Sequence, residues 1–285
     1  MIVANKQFIN GFDADIIPNF QITSAIPLSG GLTNRCWKLT GYYQGRLLTA
    51  VWRPVSAISQ AFLVDRQQEF LTLQQLSASL APLPIYCNNQ GLLVEWLEGK
   101  EAGKETSDSE ILELLVQIHQ QPLPQTTLDL KQRCQYYWDQ IPVELHSHRL
   151  LQLHSWFSHS VIPESKQLAC CHCDLGRYNL IRKGSRLKVI DWEYAAAGNA
   201  LLDLALTILA NDMSIERAVT QYCQLTKSEY NVILTQVNTY LPWGMWLAIL
   251  WYYIGYEQWQ DSEYLNAALA LQQELIQRLR LADDT

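Results

Sequence analysis

The chain has 285 residues, 48% of them hydrophobic and 17% charged, with a formal net charge of -7, which is material for one large or two modest globular cores. The acidic balance argues against nucleic acid as a partner, because phosphate binding wants a basic surface, and favours a neutral or cationic small molecule. No membrane is expected either: the apolar stretch 241–256 is shorter than the ~20 residues a membrane helix needs and carries Pro242 and Gly244 at its start, so it reads as a buried helix.

Along the chain, 20–27 and 35–40 read as strands around Leu28-Ser29-Gly30-Gly31-Leu32-Thr33-Asn34, a hairpin tip of the kind that lies over phosphates. Gly-Gly turns serve hairpins of every function, so the tip alone is not specific. A third strand, 46–54, carries Arg53 near its end. Between 57 and 80, Phe62, Phe70, Leu73 and Leu76 recur at helical spacing around Glu69. Glu69 is the candidate partner for Arg53; the competing reading is a solvated glutamate in the polar run Arg66-Gln67-Gln68-Glu69. Then 82–87 and 91–99 read as two strands joined by an Asn-Asn turn.

From Ser107 the pattern becomes helical. Ser107-Asp108-Ser109-Glu110 offers an N-cap with acidic first-turn residues ahead of Ile111, Leu114, Leu115 and Ile118, and His119 closes that helix. His119 reads either as a core histidine or as a contact near a catalytic loop. Two more helices are expected over 133–140 and 148–159, then a buried strand over 167–171. The chain is thus β-rich first and α-rich afterwards, without repeats.

The most specific stretch follows. His172-Cys173-Asp174-Leu175-Gly176-Arg177-Tyr178-Asn179 precedes Leu180-Ile181-Arg182, a polar turn Lys183-Gly184-Ser185, and Leu187-Lys188-Val189-Ile190, which ends at Asp191. A hairpin of this kind brings Asn179 and Asp191 to one end. Phosphoryl transfer needs a carboxylate to orient and deprotonate the incoming hydroxyl, and oxygen ligands to hold Mg²⁺ on the phosphates. Asp174 suits the first task; Asn179 and Asp191 suit the second. Each taken singly is equally an ordinary turn or cap residue; their joint spacing favours the chemistry.

His172-x-Asp174-x-x-x-x-Asn179 with Ile190-Asp191-Trp192-Glu193-Tyr194-Ala195 resembles the aminoglycoside phosphotransferase and choline kinase superfamily. Gly198-Asn199 and Asp203-Leu204-Ala205 bring the resemblance closest to bacterial thiamine kinases and choline kinase-like proteins. It implies an α+β, bilobal protein-kinase-like fold, with a small β-rich nucleotide-binding lobe over 1–98 and a larger, mainly helical catalytic and substrate-binding lobe over 99–285. It also implies ATP and Mg²⁺ as cofactors and a small alcohol as substrate. Gly30, Gly31 and Asn34 would close over the phosphates, which Arg53 would steady with Glu69 behind it. Arg stands where protein kinases use Lys, as is common in the choline and thiamine kinase branches. Backbone groups from Glu95 to Leu97 would contact the adenine, and His172 and Asp203 would support the catalytic loop.

The C-terminal helix is rich in aromatics, and Tyr252, Tyr256 and Trp259 share a face. They read as core packing or, with Trp243, as a wall for a quaternary or aromatic cation, with Glu193 adding negative charge. Thiamine is the first expectation, choline or ethanolamine the second. An aminoglycoside-type enzyme would line its site with carboxylates instead, and a non-catalytic pseudokinase-like protein would have lost Asp174, Asn179 or Asp191. Seven cysteines without regular spacing suggest a reducing, cytoplasmic setting, as does an N-terminus without a basic-then-apolar pattern. Cys170, Cys171 and Cys173 alternate across a strand and cannot easily converge on zinc. The residues specify no oligomeric state.

Overall fold

The computed structural model describes residues 8–28, 36–163 and 168–281. They form two compact units, one built from the chain up to Glu101 together with Leu180–Glu193, the other from Ala102–Asn179 and from Tyr194 onward. The expected boundary at residue 98 divides the chain in sequence order; here the central hairpin goes with the first unit.

In the first unit β1 (Phe8–Ile9) and β2 (Phe12–Asp13) form a small hairpin, followed by β3 (Phe20–Pro27), β4 (Trp37–Tyr43) and β5 (Arg46–Pro54). Along β3 the buried positions step Phe20, Ile22, then Ala25, because a register shift between Ile22 and Ser24 moves the alternation by one residue. The stretch 57–80, with its helical spacing, carries two helices: α1 (Ala57–Ala61) and α2 (Arg66–Gln75). Leu63 turns left-handed with φ 56°, and Asp65 restarts the helix by accepting from the Gln67 and Gln68 amides. Then β6 (Pro84–Asn88) and β7 (Gly91–Glu95) complete a five-stranded antiparallel sheet of order β3-β4-β5-β7-β6, and β8 (Lys100–Glu101) ends the segment. Phe12, Ile17, Phe20, Leu39, Ala50, Trp52 and Leu93 form its core.

The second unit begins with α3 (Asp108–His119), which opens on the capping box of Ser107 and Glu110. α4 (Leu130–Trp138) starts three residues before the expected 133 because Asp129 caps it, accepting from the Gln132 amide. α5 (His148–His159) and the short β9 (Ala169–Cys171) follow. The chain then returns to the first unit as β10 (Leu180–Lys183) and β11 (Arg186–Val189), antiparallel with Leu180 opposite Val189, and β10 also pairs with β8. Gly184, at φ 60°, supplies the left-handed turn between them. Val189 N donates to Leu80 O at 2.7 Å and Trp192 Nε1 to Val189 O at 2.9 Å, which anchors the hairpin within that unit.

The remaining chain belongs to the second unit: β12 (Ala196–Gly198), antiparallel to β9, then α6 (Ala200–Ala210), α7 (Ile215–Thr226), α8 (Tyr230–Trp259) and α9 (Ser262–Leu279). The run 241–256 is indeed helical, but the helix starts at Tyr230 and passes through Pro242. An interior proline costs about 3 kcal/mol; Trp243, Trp246, Ile249, Leu250 and Tyr253 are all buried, and at about 1.5–3 kcal/mol per large apolar side chain their burial outweighs it. No helix among the described residues is long and apolar enough to cross a membrane.

Candidate active site

Arg53 lies at the end of β5 and is the hub of a buried charge cluster in the first unit. Its Nε is 3.1 Å from Glu69 Oε1, and its Nη2 donates to Glu193 Oε2 at 2.9 Å and also to Asp191 Oδ1. Arg66, on the first turn of α2, pairs with Glu69 Oε2 and reaches Glu193 Oε2 at 3.1 Å. The polar run on α2 is therefore not a solvated face: Arg66 and Glu69 are buried, while Gln67 is exposed. Two guanidiniums meet three carboxylates here, so burial, which alone would lower the Arg53 pKa, is outweighed by Asp191 and Glu69, and it stands well above its ordinary value. Burial, with Asp191 next, pushes Glu193 up to about 7 against the pull of Arg66 and Arg53. Asp191 differs from the two glutamates. Its side chain is 27% exposed where theirs are 2%, and it sits left-handed at φ 62°, a conformation aspartate tolerates better than most residues.

The other expected nucleotide residues are also in this unit. Glu95 ends β7; its amide donates to Leu83 O at 2.8 Å and its carboxylate accepts from Leu83 N at 3.2 Å, with Lys188 Nζ 3.6 Å away. The Trp96 amide donates to Thr49 O at 3.2 Å, so the backbone donors of Glu95 and Trp96 serve the sheet. Leu97 follows, half-buried. Gly30, Gly31 and Asn34 lie outside the described residues; on either side of them Leu28 N donates to Cys36 O at 2.8 Å.

In the second unit the loop after β9 is built around a fully buried carboxylate. Asp203, in the first turn of α6, accepts from His172 N at 2.9 Å and from Cys173 N at 2.8 Å, and lies 3.2 Å from His119 Nε2. His119 Nδ1 is 3.2 Å from the Tyr222 hydroxyl. His119 is thus a core histidine whose link to the loop runs through Asp203. Cys173 is held left-handed at φ 65°, a turn that L side chains disfavour and that the bond to Asp203 fixes. Asp174 N then donates to His172 Nδ1 at 3.3 Å.

Asp174 emerges half-buried at the end of this support. Asn179 Nδ2 donates to Asp174 O and to Asp174 Oδ2, both at 2.9 Å, which turns the amide oxygen Oδ1 away as the atom available to a cation. Tyr178 donates to the other carboxylate oxygen, Oδ1, at 2.5 Å. Behind the loop, Arg177 donates from Nε to Thr106 O at 3.0 Å and from Nη1 to Asn211 O at 3.0 Å, and pairs with Asp108. Asn211, just past α6, accepts from Arg177 N at 3.0 Å and donates to Leu175 O at 2.8 Å. The sequence reading missed Arg66, Arg177, Tyr178, Asp108 and Asn211. Only the Arg66/Glu69 spacing of three carried a local signal.

His119, Cys171 and Asp203 bring three potential metal ligands within 4.8 Å of one another, the one such group among the described residues. Asp203 already accepts two backbone amides, and burial pushes the Cys171 thiol far up, so it stays protonated. The group reads as loop support and not as a metal centre.

The expected aromatic wall divides. Trp243 is buried against Phe157 at 4.8 Å between ring centroids, with Lys131 5.9 Å over its ring. Trp259 packs on Tyr264 at 4.8 Å and on Trp251 at 5.9 Å, and Tyr252 on Trp251 at 5.6 Å; Tyr256 is half-buried. Trp243 thus belongs to a different cluster from Tyr252 and Trp259. Glu193, expected to add charge to that wall, is instead spent on Arg53 and Arg66 in the first unit.

Residues 24–227 match the phosphotransferase enzyme family, and the chain belongs to it: it is a phosphotransferase with an alcohol group as acceptor, on a protein-kinase-like fold. It is 28% identical to the thiamine kinase of Shigella boydii over 218 residues, covering 76% of this chain and 74% of that one. The choline kinase LicA from Streptococcus pneumoniae, also solved in complex with AMP, is similar in structure with a TM-score of 0.68 and 19% identity, over 92% of this chain and 94% of that one. Aminoglycoside 2'-phosphotransferase-IIIa, solved as a GDP complex, has a TM-score of 0.62 at 16% identity, over 93% and 95%.

Proposed function

We propose that the protein transfers the γ-phosphoryl group of ATP to the hydroxyl of a small cationic alcohol, thiamine first. The observation that carries this reading is Asp174, a carboxylate gripped at both oxygens at the end of a loop anchored on the buried Asp203. Such a group orients an incoming hydroxyl and accepts its proton. Asn179 Oδ1 and the part-exposed Asp191 are hard oxygen donors of the kind that suits Mg²⁺. When bound, that ion neutralises charge on the phosphates. Arg53, aligned by Glu69 and Glu193, contributes a planar cation of the kind that steadies phosphate oxygens.

Similarity to thiamine kinases over three-quarters of the chain supports thiamine as the acceptor. Choline or ethanolamine is the second reading, favoured by the aromatic faces of Tyr252 and Trp259, which suit a quaternary ammonium. The test is ATP consumption and product formation with thiamine, choline, ethanolamine, homoserine and aminoglycosides. Thiamine is expected to give the highest kcat/KM, and Asp174→Asn to abolish turnover. Wild-type inactivity on the whole panel, or an Asp174→Asn enzyme of near wild-type activity, overturns the reading.

A further inference from the structure

Between Asp174 and Asn179 the loop carries a pair of residues that neither base nor metal ligands require. Tyr178 is 55% exposed, yet its side chain folds back so that its hydroxyl donates to Asp174 Oδ1 at 2.5 Å. That length falls in the range of O–H···O⁻ bonds, among the stronger ones in proteins. The fold-back depends on Gly176. A Cβ there would stand 2.1 Å from Cε1 and 2.3 Å from Cζ of the tyrosine ring. Gly176 is not among the glycines with positive φ, so its backbone would accept alanine, and what excludes a side chain is the ring. Alanine at 176 would therefore displace the far end of one flexible side chain and leave the loop intact.

Two hands thus hold the carboxylate. Asn179, buried, takes Oδ2; Tyr178, more than half exposed, takes Oδ1. We propose that Tyr178 is a positioning residue for the transfer, resting on the assignment of Asp174 as base: its hydroxyl sets the orientation of the carboxylate, and its ring offers a π face to a cationic acceptor. Tyr178 and Gly176 then act as one device.

Three variants separate the parts. Tyr178→Phe keeps the ring and loses the hydroxyl; kcat is expected to fall about tenfold or more while the acceptor KM stays within about twofold. Tyr178→Ala loses both, and the acceptor KM is expected to rise about fivefold as well. Gly176→Ala keeps the hydroxyl but pushes it off Asp174, and kcat is expected to fall as in Tyr178→Phe. Nucleotide KM and thermal midpoint are expected to stay at wild-type values in all three. Wild-type kcat and acceptor KM in both tyrosine variants overturn the proposal, as does a kcat loss that appears only alongside a lowered midpoint.

A second readout does not need the acceptor. In protein carrying ¹³Cζ-tyrosine, the Tyr178 resonance, assigned by its absence in Tyr178→Phe, is expected to shift in Asp174→Ala and in Gly176→Ala. A resonance unmoved by Asp174→Ala overturns the proposal. Should the wild type turn over no alcohol, the acceptor reading of the site fails separately, and the tyrosine resonance still decides this one.

Discussion

Asp203→Asn removes one negative charge from a position with no solvent exposure and tests the loop's support most directly. Asp203 accepts from His172 N at 2.9 Å and from Cys173 N at 2.8 Å; an amide can accept at only one of those places and turns an N–H toward the other. A hydrogen bond to a charged acceptor contributes about 1.5–3 kcal/mol. Truncation to alanine, which loses both, should thus cost about 3–6 kcal/mol, a large share of the ~5–15 kcal/mol that holds a typical domain. Asparagine should cost about half of that. It should also free the left-handed turn at Cys173, and a displacement of order 1 Å at a reacting group costs about a hundredfold in rate. Urea unfolding measures the first effect and steady-state kinetics with the best acceptor the second. An Asp203→Asn protein with wild-type midpoint and wild-type kcat would refute the argument that this carboxylate organises the loop.

Three further outcomes are expected. Arg66→Met leaves Glu69 and Glu193 buried with one counter-charge fewer and should destabilise by about 3–5 kcal/mol in urea melts, more than Glu193→Gln, which removes a surplus negative charge; equal stability of Arg66→Met and wild type would contradict the cluster. Cys173→Gly relieves a left-handed cysteine and should keep activity, whereas Cys173→Val, β-branched at φ > 0, should lower both activity and midpoint. Burial pushes Cys134 and Cys170 up to about 12 and Cys87 to about 11. At pH 8 the thiolate is then on the order of one part in ten thousand for Cys134 and Cys170, and iodoacetamide should label these residues only in unfolded protein, as peptide mass mapping will show. The corresponding stability is present below the unfolded thiol value near ~8.5 and is lost as pH climbs toward the folded one. Rapid native labelling of Cys170 would argue that the strand is open.

Much of the local architecture was legible without coordinates. Alternation and the Lys183-Gly184-Ser185 turn specify the hairpin of β10 and β11, and Ser107 with Glu110 specifies the start of α3, because strand period, turn conformation and capping are satisfied within a few residues of where they are encoded. The spacing of Asp174 and Asn179 likewise carries its own consequence, since the bond between them joins side chains five positions apart. The break between α1 and α2 has a local signature too, since Asp65 is a helix N-cap.

The partners of the buried charges are another matter. Glu193 reads as a loop carboxylate in front of an aromatic segment, yet it is 140 residues from Arg53 and 127 from Arg66, and meets both. Asn211 clamps Arg177 from 34 residues away, and Tyr178 can reach Asp174 only across a glycine whose role is steric. α8 runs through Pro242 because the side chains around it are buried, which no propensity expresses. Sequence alone therefore determined most of the elements and the spacing of Asp174 and Asn179. Tertiary structure decided which charges neutralise one another, because that depends on which faces of distant segments meet, and only burial makes an unpaired charge costly enough to matter.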